Sequence, residues 1–209
     1  MKLHRFFIDK QIDESPKINI DDSELVHQIT KVLRAKIGDR FVFLDNKGNE
    51  VEVSYEENMK KNLIFSKEKM KKSSNKNEVF IKLCPAVIKK DKMEYVLQKC
   101  TEIGVLEFCP LVSSRTEKIN LNMKRLGKII REAAEQSEKN RLPSLNAVEQ
   151  LSQLLKHDET SEIKMYLDMK APVLNVSQLL EQYFESNNPD KKSKITIFIG
   201  PEGGWSDYD

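Results

Sequence analysis

Ile195-Thr196-Ile197-Phe198-Ile199-Gly200-Pro201-Glu202-Gly203-Gly204-Trp205 is the stretch that decides the fold. Five β-favouring residues run, without polar alternation, into a loop that packs three glycines and a proline into five positions. That grammar reads as a strand buried on both faces, followed by a tight turn. In open parallel sheets ligands sit beyond the carboxyl ends of the strands, and glycines let backbone amides lie directly against them. The loop has neither the terminal Lys-Ser/Thr of a phosphate-binding P-loop nor the spacing of a dinucleotide fingerprint, and Glu202 would repel a polyphosphate. Taken alone it reads either as a plain turn or as a site for a ligand with a neutral purine end and a cationic reactive end, a description that S-adenosylmethionine meets.

Upstream of this strand the pattern alternates. Val79 to Ile88 reads as a strand with Pro85 at its end or at a bulge. A helix follows with Asp91 and Glu94 as a capping box, a stripe of Met93, Val96, Leu97, Cys100 and Ile103, and Gly104 closing it. Val105 to Val112 is expected as a strand, Leu121 to Glu138 as a helix burying Leu126, Ile129, Ile130, Ala133, Ala134 and Ser137. Val148 to Lys156 reads as helix, Ile163 to Leu167 as strand and Val176 to Phe184 as helix. Strands alternating with helices predict a parallel sheet covered on both faces.

Lys67 to Glu78 is almost devoid of apolar residues and reads as a linker, so the expected division is 1–70, a linker over 71–78, and an α/β domain over 79–209. Before it the reading is mostly β: Phe41 to Leu44, the turn Asp45-Asn46-Lys47-Gly48, then the alternating Glu50 to Tyr55. A helix capped by Asp21, Asp22 or Ser23 precedes the hairpin, with Leu25, Ile29, Val32 and Leu33 inside. His27, Lys31 and Arg34 then share another face, either as an ordinary solvated surface or as a basic ridge for a phosphate backbone.

Composition excludes several classes. The 209 residues carry 35 basic and 33 acidic side chains, a balance that does not by itself announce nucleic acid, although Lys60 to Lys76 holds seven lysines against one acid. No apolar run reaches the roughly 20 residues of a membrane span, and the N-terminus lacks a signal peptide, so a cytoplasmic protein is expected. Cys84, Cys100 and Cys109 read as reduced core residues, and no His/Cys/Asp grouping has metal-ligand spacing.

The segment IGPEGGWS resembles the cofactor loop of the knotted SPOUT methyltransferases. Other stretches match in order: Arg5-Phe6-Phe7; His27 with Val32-Leu33-Arg34 and Gly38-Asp39; Lys92-Met93-Glu94 with Gln98-Lys99 and Thr101 to Val105; Pro110 with Ser114-Arg115; and Glu132 to Ser137 followed by Arg141 and Pro143. Together they are similar to the bacterial 16S ribosomal RNA (uracil-N3) methyltransferases over nearly the whole chain.

That resemblance implies an α/β SPOUT domain, with a trefoil knot and a Rossmann-like parallel sheet, preceded by a small PUA-like β-barrel that binds RNA. It implies an S-adenosylmethionine-dependent enzyme acting as a homodimer on N3 of a uridine in 16S rRNA of the small ribosomal subunit. The cofactor candidates are Leu167, Gly200, Glu202, Gly203 and Gly204, with Leu167 alternatively plain core. The family's best candidates for the arginine that stabilises a uridine anion lie in a segment this sequence does not show, so the catalytic group is expected outside it. Among the residues present Arg115 and Arg141 are the catalytic candidates, and Arg5, His27 and Arg34 are the RNA-binding ones. Glu132 and Gln136 fit either the site or a structural hydrogen-bond network. The family continues past the loop to a second cofactor segment, whereas this chain reads Trp205-Ser206-Asp207-Tyr208-Asp209 there. Half a cofactor site, weak cofactor binding and no turnover are the expectation for the chain as written. A non-catalytic rRNA-binding protein is the alternative.

Overall fold

The computed structural model describes residues 3–59, 61–72, 79–117, 120–157, 163–168, 175–186 and 193–209. The chain divides into two compact units, Met1–Ser74 with Ala134–Leu142, and Asn75–Ala133 with Pro143–Asp209.

In the first unit the hairpin forms where alternation and turn chemistry place it. Strands β1 (His4–Phe7), β2 (Lys17–Ile20), β3 (Arg40–Leu44), β4 (Asn49–Met59) and β5 (Asn62–Lys72) make one sheet in the order β1-β3-β4-β5-β2, with β1 parallel to β3 and the other pairs antiparallel. The β3–β4 turn needs positive φ at Asn46 (55°) and Gly48 (94°), and glycine adopts that region without a Cβ clash. Val51, Val53, Phe43 and Phe65 are fully buried on the inner face, with the Phe43 and Phe65 rings 4.8 Å apart at 75°. Phe7, Val42 and Leu44 point the other way and cluster with Ala134.

Two expectations change here. Lys67 to Lys72, read as the start of a linker, is the second half of β5; residues 73–78 lie outside the described residues. Its charges meet opposite charges on the sheet: Lys71 with Glu50 of the neighbouring β4 at 3.8 Å, and Glu68 with Arg40 of β3, two strands away, at 2.5 Å. The helix also stops early. Asp22 caps α1 (Ser23–His27) by accepting the Glu24 and Leu25 amides, and a π-helical turn over Gln28–Val32 then widens the coil, with Leu33 N–H donating to the Gln28 carbonyl at 2.9 Å. The phase slips, so Ile29 is buried but Val32 is 64% exposed, and Arg34 ends the turn at φ 53°. The i, i+4, i+7 spacing of His27, Lys31 and Arg34 therefore does not define one helical face, although all three are exposed.

The second unit alternates as the apolar runs require. It contains β6 (Phe80–Pro85), α2 (Lys90–Ile103), β7 (Glu107–Phe108), β8 (Leu111–Val112), α3 (Met123–Gln136, whose last residues count with the first unit), β9 (Ser144–Leu145), β10 (Glu149–Gln150), α4 (Leu151–His157), β11 (Ile163–Leu167), α5 (Val176–Ser186) and β12 (Lys194–Ile199). The sheet is all parallel, in the order β11-β12-β6-β7-β9, and β8 pairs with β10 alongside. Pro85 ends its strand, and Gly104 closes α2 at φ 107°.

Val105 to Val112 is not one strand, because Cys109-Pro110 separates β7 from β8. The capping box is absent: Lys89 takes the N-cap position without a side-chain bond, and Glu94 instead grips Arg125 of α3 at 2.5 and 2.9 Å. Ile103, expected inside, is 79% exposed, while Thr101 is buried. Cys84 and Cys109 lie in the core and Cys100 is half-buried. Among the described residues no helix is long and apolar enough to cross a membrane.

Candidate functional site

β12 lies between β11 and β6; the chain leaves β6 towards β7 and β9 on one side, while β11 and β12 fill the other. That reversal opens a crevice at the carboxyl ends of neighbouring strands. Leu167, Ile199 and Pro85 end in register, and the Ala86 amide donates to the Ile199 carbonyl at 2.8 Å. The loop after β12 leaves from this point.

The loop folds as a turn in which Gly204 N–H donates to the Pro201 carbonyl at 2.8 Å, with Gly204 at φ 69°. Gly200 is glycine for a different reason. A Cβ there would meet the Trp205 ring at 3.0 Å, because the indole lies flat against the backbone. Trp205 donates from Nε1 to the Leu167 carbonyl at 2.9 Å and meets Tyr166 edge-on at 6.0 Å, so one side chain joins the ends of β11 and β12. Among the described residues the amides of Glu202, Gly203 and Trp205 have no acceptor.

A second turn, Ser113–Thr116, follows β8 and is closed by Thr116 N–H to the Ser113 carbonyl and Ser113 N–H to Thr116 Oγ1. Its tip reaches the glycine loop. Arg115 Nη1 donates to the Gly203 carbonyl at 2.9 Å, and Ser114 Oγ lies 2.7 Å from Ser206 Oγ and 2.9 Å from Asp209 Oδ2. Burial pushes the Asp209 carboxyl up, yet the amides and hydroxyls of Ser114 and Ser206 outweigh it and hold the group below the usual carboxylate range. Lys92 stands 4.0 Å from Glu202, with both side chains more than half exposed, an ion pair of little energetic consequence.

Beside Trp205 opens a cavity of about 410 Å³, within the size range of small-molecule pockets. Its apolar wall is Leu151, Tyr166, Phe198 and Trp205, and Asp168 and Asp207 bring carboxylates to its rim. Aromatic faces with carboxylates suit a ligand that is flat, apolar and cationic in part.

Of the residues singled out in the sequence, Leu167, Gly200, Glu202, Gly203, Gly204 and Arg115 meet here. Leu167 contributes its carbonyl; its residue is 58% exposed and is not core. Arg141 falls in Ala134–Leu142, which counts with the first unit, as do Arg5, His27 and Arg34. Arg5 is bound to Glu50 at 3.0 Å with both side chains largely buried. Glu132 and Gln136 are exposed on α3. Sequence reasoning gave no site role to Trp205, Tyr166, Ser114 or Asp209, although Trp205 and Ser114 stand in the motifs quoted above; the only tryptophan of the chain, placed next to the glycines, was the available signal for the first. Among the described residues no cluster of His, Cys, Asp or Glu could hold a metal ion.

Residues 75–209, which carry the parallel sheet and the glycine loop, match the family described as RNA methyltransferase domain. The chain belongs to this family. Residues 20–68 match a second model, the RNA methyltransferase PUA domain. Similar proteins include Ribosomal RNA small subunit methyltransferase E of Rickettsia conorii, 28% identical over 99% of this chain and 81% of that protein, and its namesake in Bacillus subtilis, 27% identical over 98% and 82%. Among solved structures, Ribosomal RNA small subunit methyltransferase E from Neisseria gonorrhoeae bound to S-adenosyl methionine superimposes with a TM-score of 0.80 over 99% of this chain and 83% of that one. At 19% identity that likeness concerns the fold.

Proposed function

We propose that this RNA methyltransferase uses S-adenosylmethionine to methylate N3 of a uridine in 16S rRNA of the small ribosomal subunit. The observation that carries the reading is the glycine loop at the switch point, with unpartnered amides and an aromatic and acidic cavity beside it. The names of the relatives supply the substrate class. Homodimer formation, a cytoplasmic location, closure of the first sheet into a barrel and knotting of the second unit belong to the same proposal, as the family resemblance implies them.

The residues present fit the cofactor. Gly200 lets the Trp205 ring close against the backbone and wall the cavity, the open amides of Glu202, Gly203 and Trp205 would hold the ligand, and the cavity lining brings Asp168, Asp207 and Asp209 together with Lys164. When bound, S-adenosylmethionine supplies an electrophilic methyl group. The protein's part is to orient the base, exclude water and favour the N3 anion with a nearby cation. The test is transfer of labelled methyl from S-adenosylmethionine to small ribosomal subunits, with the product nucleoside identified. A product methylated elsewhere sinks the N3 assignment, and RNA retention without transfer turns the reading into that of a binding protein.

For RNA, the exposed His27, Lys31 and Arg34 at the π-helical turn are the proposed contacts, since Arg5 is committed to Glu50. Lys31 and Arg34 have no ion-pair partner among the described residues, so they are available to phosphates. Replacing both by alanine is expected to weaken rRNA binding about tenfold at moderate salt and to flatten the log–log salt dependence by about one per cation. A titration series showing an unchanged slope would remove the turn from the interface.

A further inference from the structure

Arg115 was expected to stabilise charge on the substrate. Its placement gives it a different task. The peptide joining Gly203 to Gly204 sits between two residues without Cβ atoms, and such a peptide can turn over at little steric cost. Both of its polar ends are tied: Gly204 N–H to the Pro201 carbonyl at 2.8 Å, and the Gly203 carbonyl to Arg115 Nη1 at 2.9 Å. The first bond closes the turn from within; the second is the one long-range restraint that the described residues place on this peptide.

The restraint is itself well anchored. Arg115 is the third residue of the Ser113–Thr116 turn, which is closed by the Thr116 amide and hydroxyl, and its neighbour Ser114 binds Ser206 and Asp209 beyond the loop. The Arg115 stem passes 3.6 Å from where a Gly203 Cβ would stand, so it packs along the loop as well as bonding to it. The Gly203 and Trp205 amides belong to the peptides on either side of the one that Arg115 holds, and the Glu202 amide to the next, so a central peptide free to turn over loosens the backbone that presents them.

We propose that Arg115 is a positioning residue: it pins the Gly203–Gly204 peptide so that the loop amides are preset for the cofactor. This rests on the methyltransferase reading above. A loop that spends only a tenth of its time in the competent arrangement binds about tenfold more weakly, because apparent affinity scales with the competent fraction. Losing the pin should therefore raise the cofactor KM about tenfold and leave kcat and its pH profile nearly unchanged.

Trp205, as the only tryptophan, reports on the loop without any ligand. The experiment compares wild type, Arg115→Met and Arg115→Lys by Trp205 emission and acrylamide quenching, and by methyl transfer to small subunits as a function of cofactor concentration and pH. The expected result is a red-shifted, more quenchable Trp205 in Arg115→Met, a KM raised about tenfold with kcat held within about threefold, and partial recovery of both readouts in Arg115→Lys, which keeps a donor but not the planar fork. A fall in kcat with a displaced alkaline limb would make Arg115 a catalytic residue and overturn the proposal. So would a fall in kcat at unchanged KM, which marks a smaller folded fraction. If wild type transfers no methyl group, the functional reading fails, and the Trp205 arm alone decides the pin: unchanged emission in Arg115→Met rejects it.

Discussion

Gly200→Val is expected to weaken S-adenosylmethionine binding by about a hundredfold, the upper end of an overpacking cost of about 1–3 kcal/mol. The reason is space rather than backbone freedom. A Cβ at this position already stands 3.0 Å from Trp205 Cε2, 3.2 Å from Cδ2 and 3.3 Å from Nε1. Alanine asks the indole to shift by a few tenths of an ångström; valine adds two methyl groups in the same direction and forces it away. Trp205 then loses its bond to the Leu167 carbonyl and its edge-on contact with Tyr166, and the cavity loses a wall. Gly200→Ala should fall between, at about a tenfold loss. Calorimetry gives the affinities, and Trp205 emission gives the displacement independently. A valine variant that binds normally would show that the indole is not part of the pocket.

How far such a site is legible in sequence depends on the distance over which its parts are specified. β12 was readable because a strand largely buried between two neighbours carries little polar character to disguise it, and the hairpin was readable because Gly48 marks its turn. The π-helical turn was not. Its register rests on one widened loop of backbone, and the 3.6-residue stripe that put Val32 inside has no means of announcing the slip. Nor was the second half of β5, whose charges are answered by Glu50 on β4 and by Arg40 two strands away on β3, partners that no local pattern announces. Glu94 followed the capping-box spacing and lost the assignment to Arg125, 31 positions away. At the site, the glycines pointed to the loop, whereas the bond from Arg115 to Gly203, 88 positions away, exists only once two strand ends have been brought together.

The same contrast between local and distant restraint governs stability in the first unit, where Asp45→Ala is expected to cost about 3 kcal/mol, a sum of lost bonds to a charged acceptor. The Asp45 carboxylate is 6% exposed and accepts from the amides of Lys47 at 2.8 Å and Asn49 at 3.1 Å, from Asn49 Nδ2 at 2.6 Å and from the Ile12 amide at 3.3 Å. Three of these bonds shape the β3–β4 turn; the fourth fastens the segment between β1 and β2 to it. Alanine leaves the Ile12 donor buried and unanswered. Burial pushes the Asp45 carboxyl up, but the Asn49 side chain and the three amides together outweigh it and bring its pKa below the ordinary value. The unfolded reference is about 3.9. The stabilisation is therefore fully present above that value and lost as pH falls through the lower, folded one. Hydrogen exchange of the Phe43 and Val51 amides is the measurement, because both lie in this unit while Trp205 does not. At about pH 6.5 protection in Asp45→Ala should be about a hundredfold lower than in wild type, and near pH 2.5 the gap should be distinctly smaller, since protonation then removes part of what the substitution removes. A difference of equal size at both pH values would mean that Asp45 acts through its shape alone and that its charge is not what holds the turn.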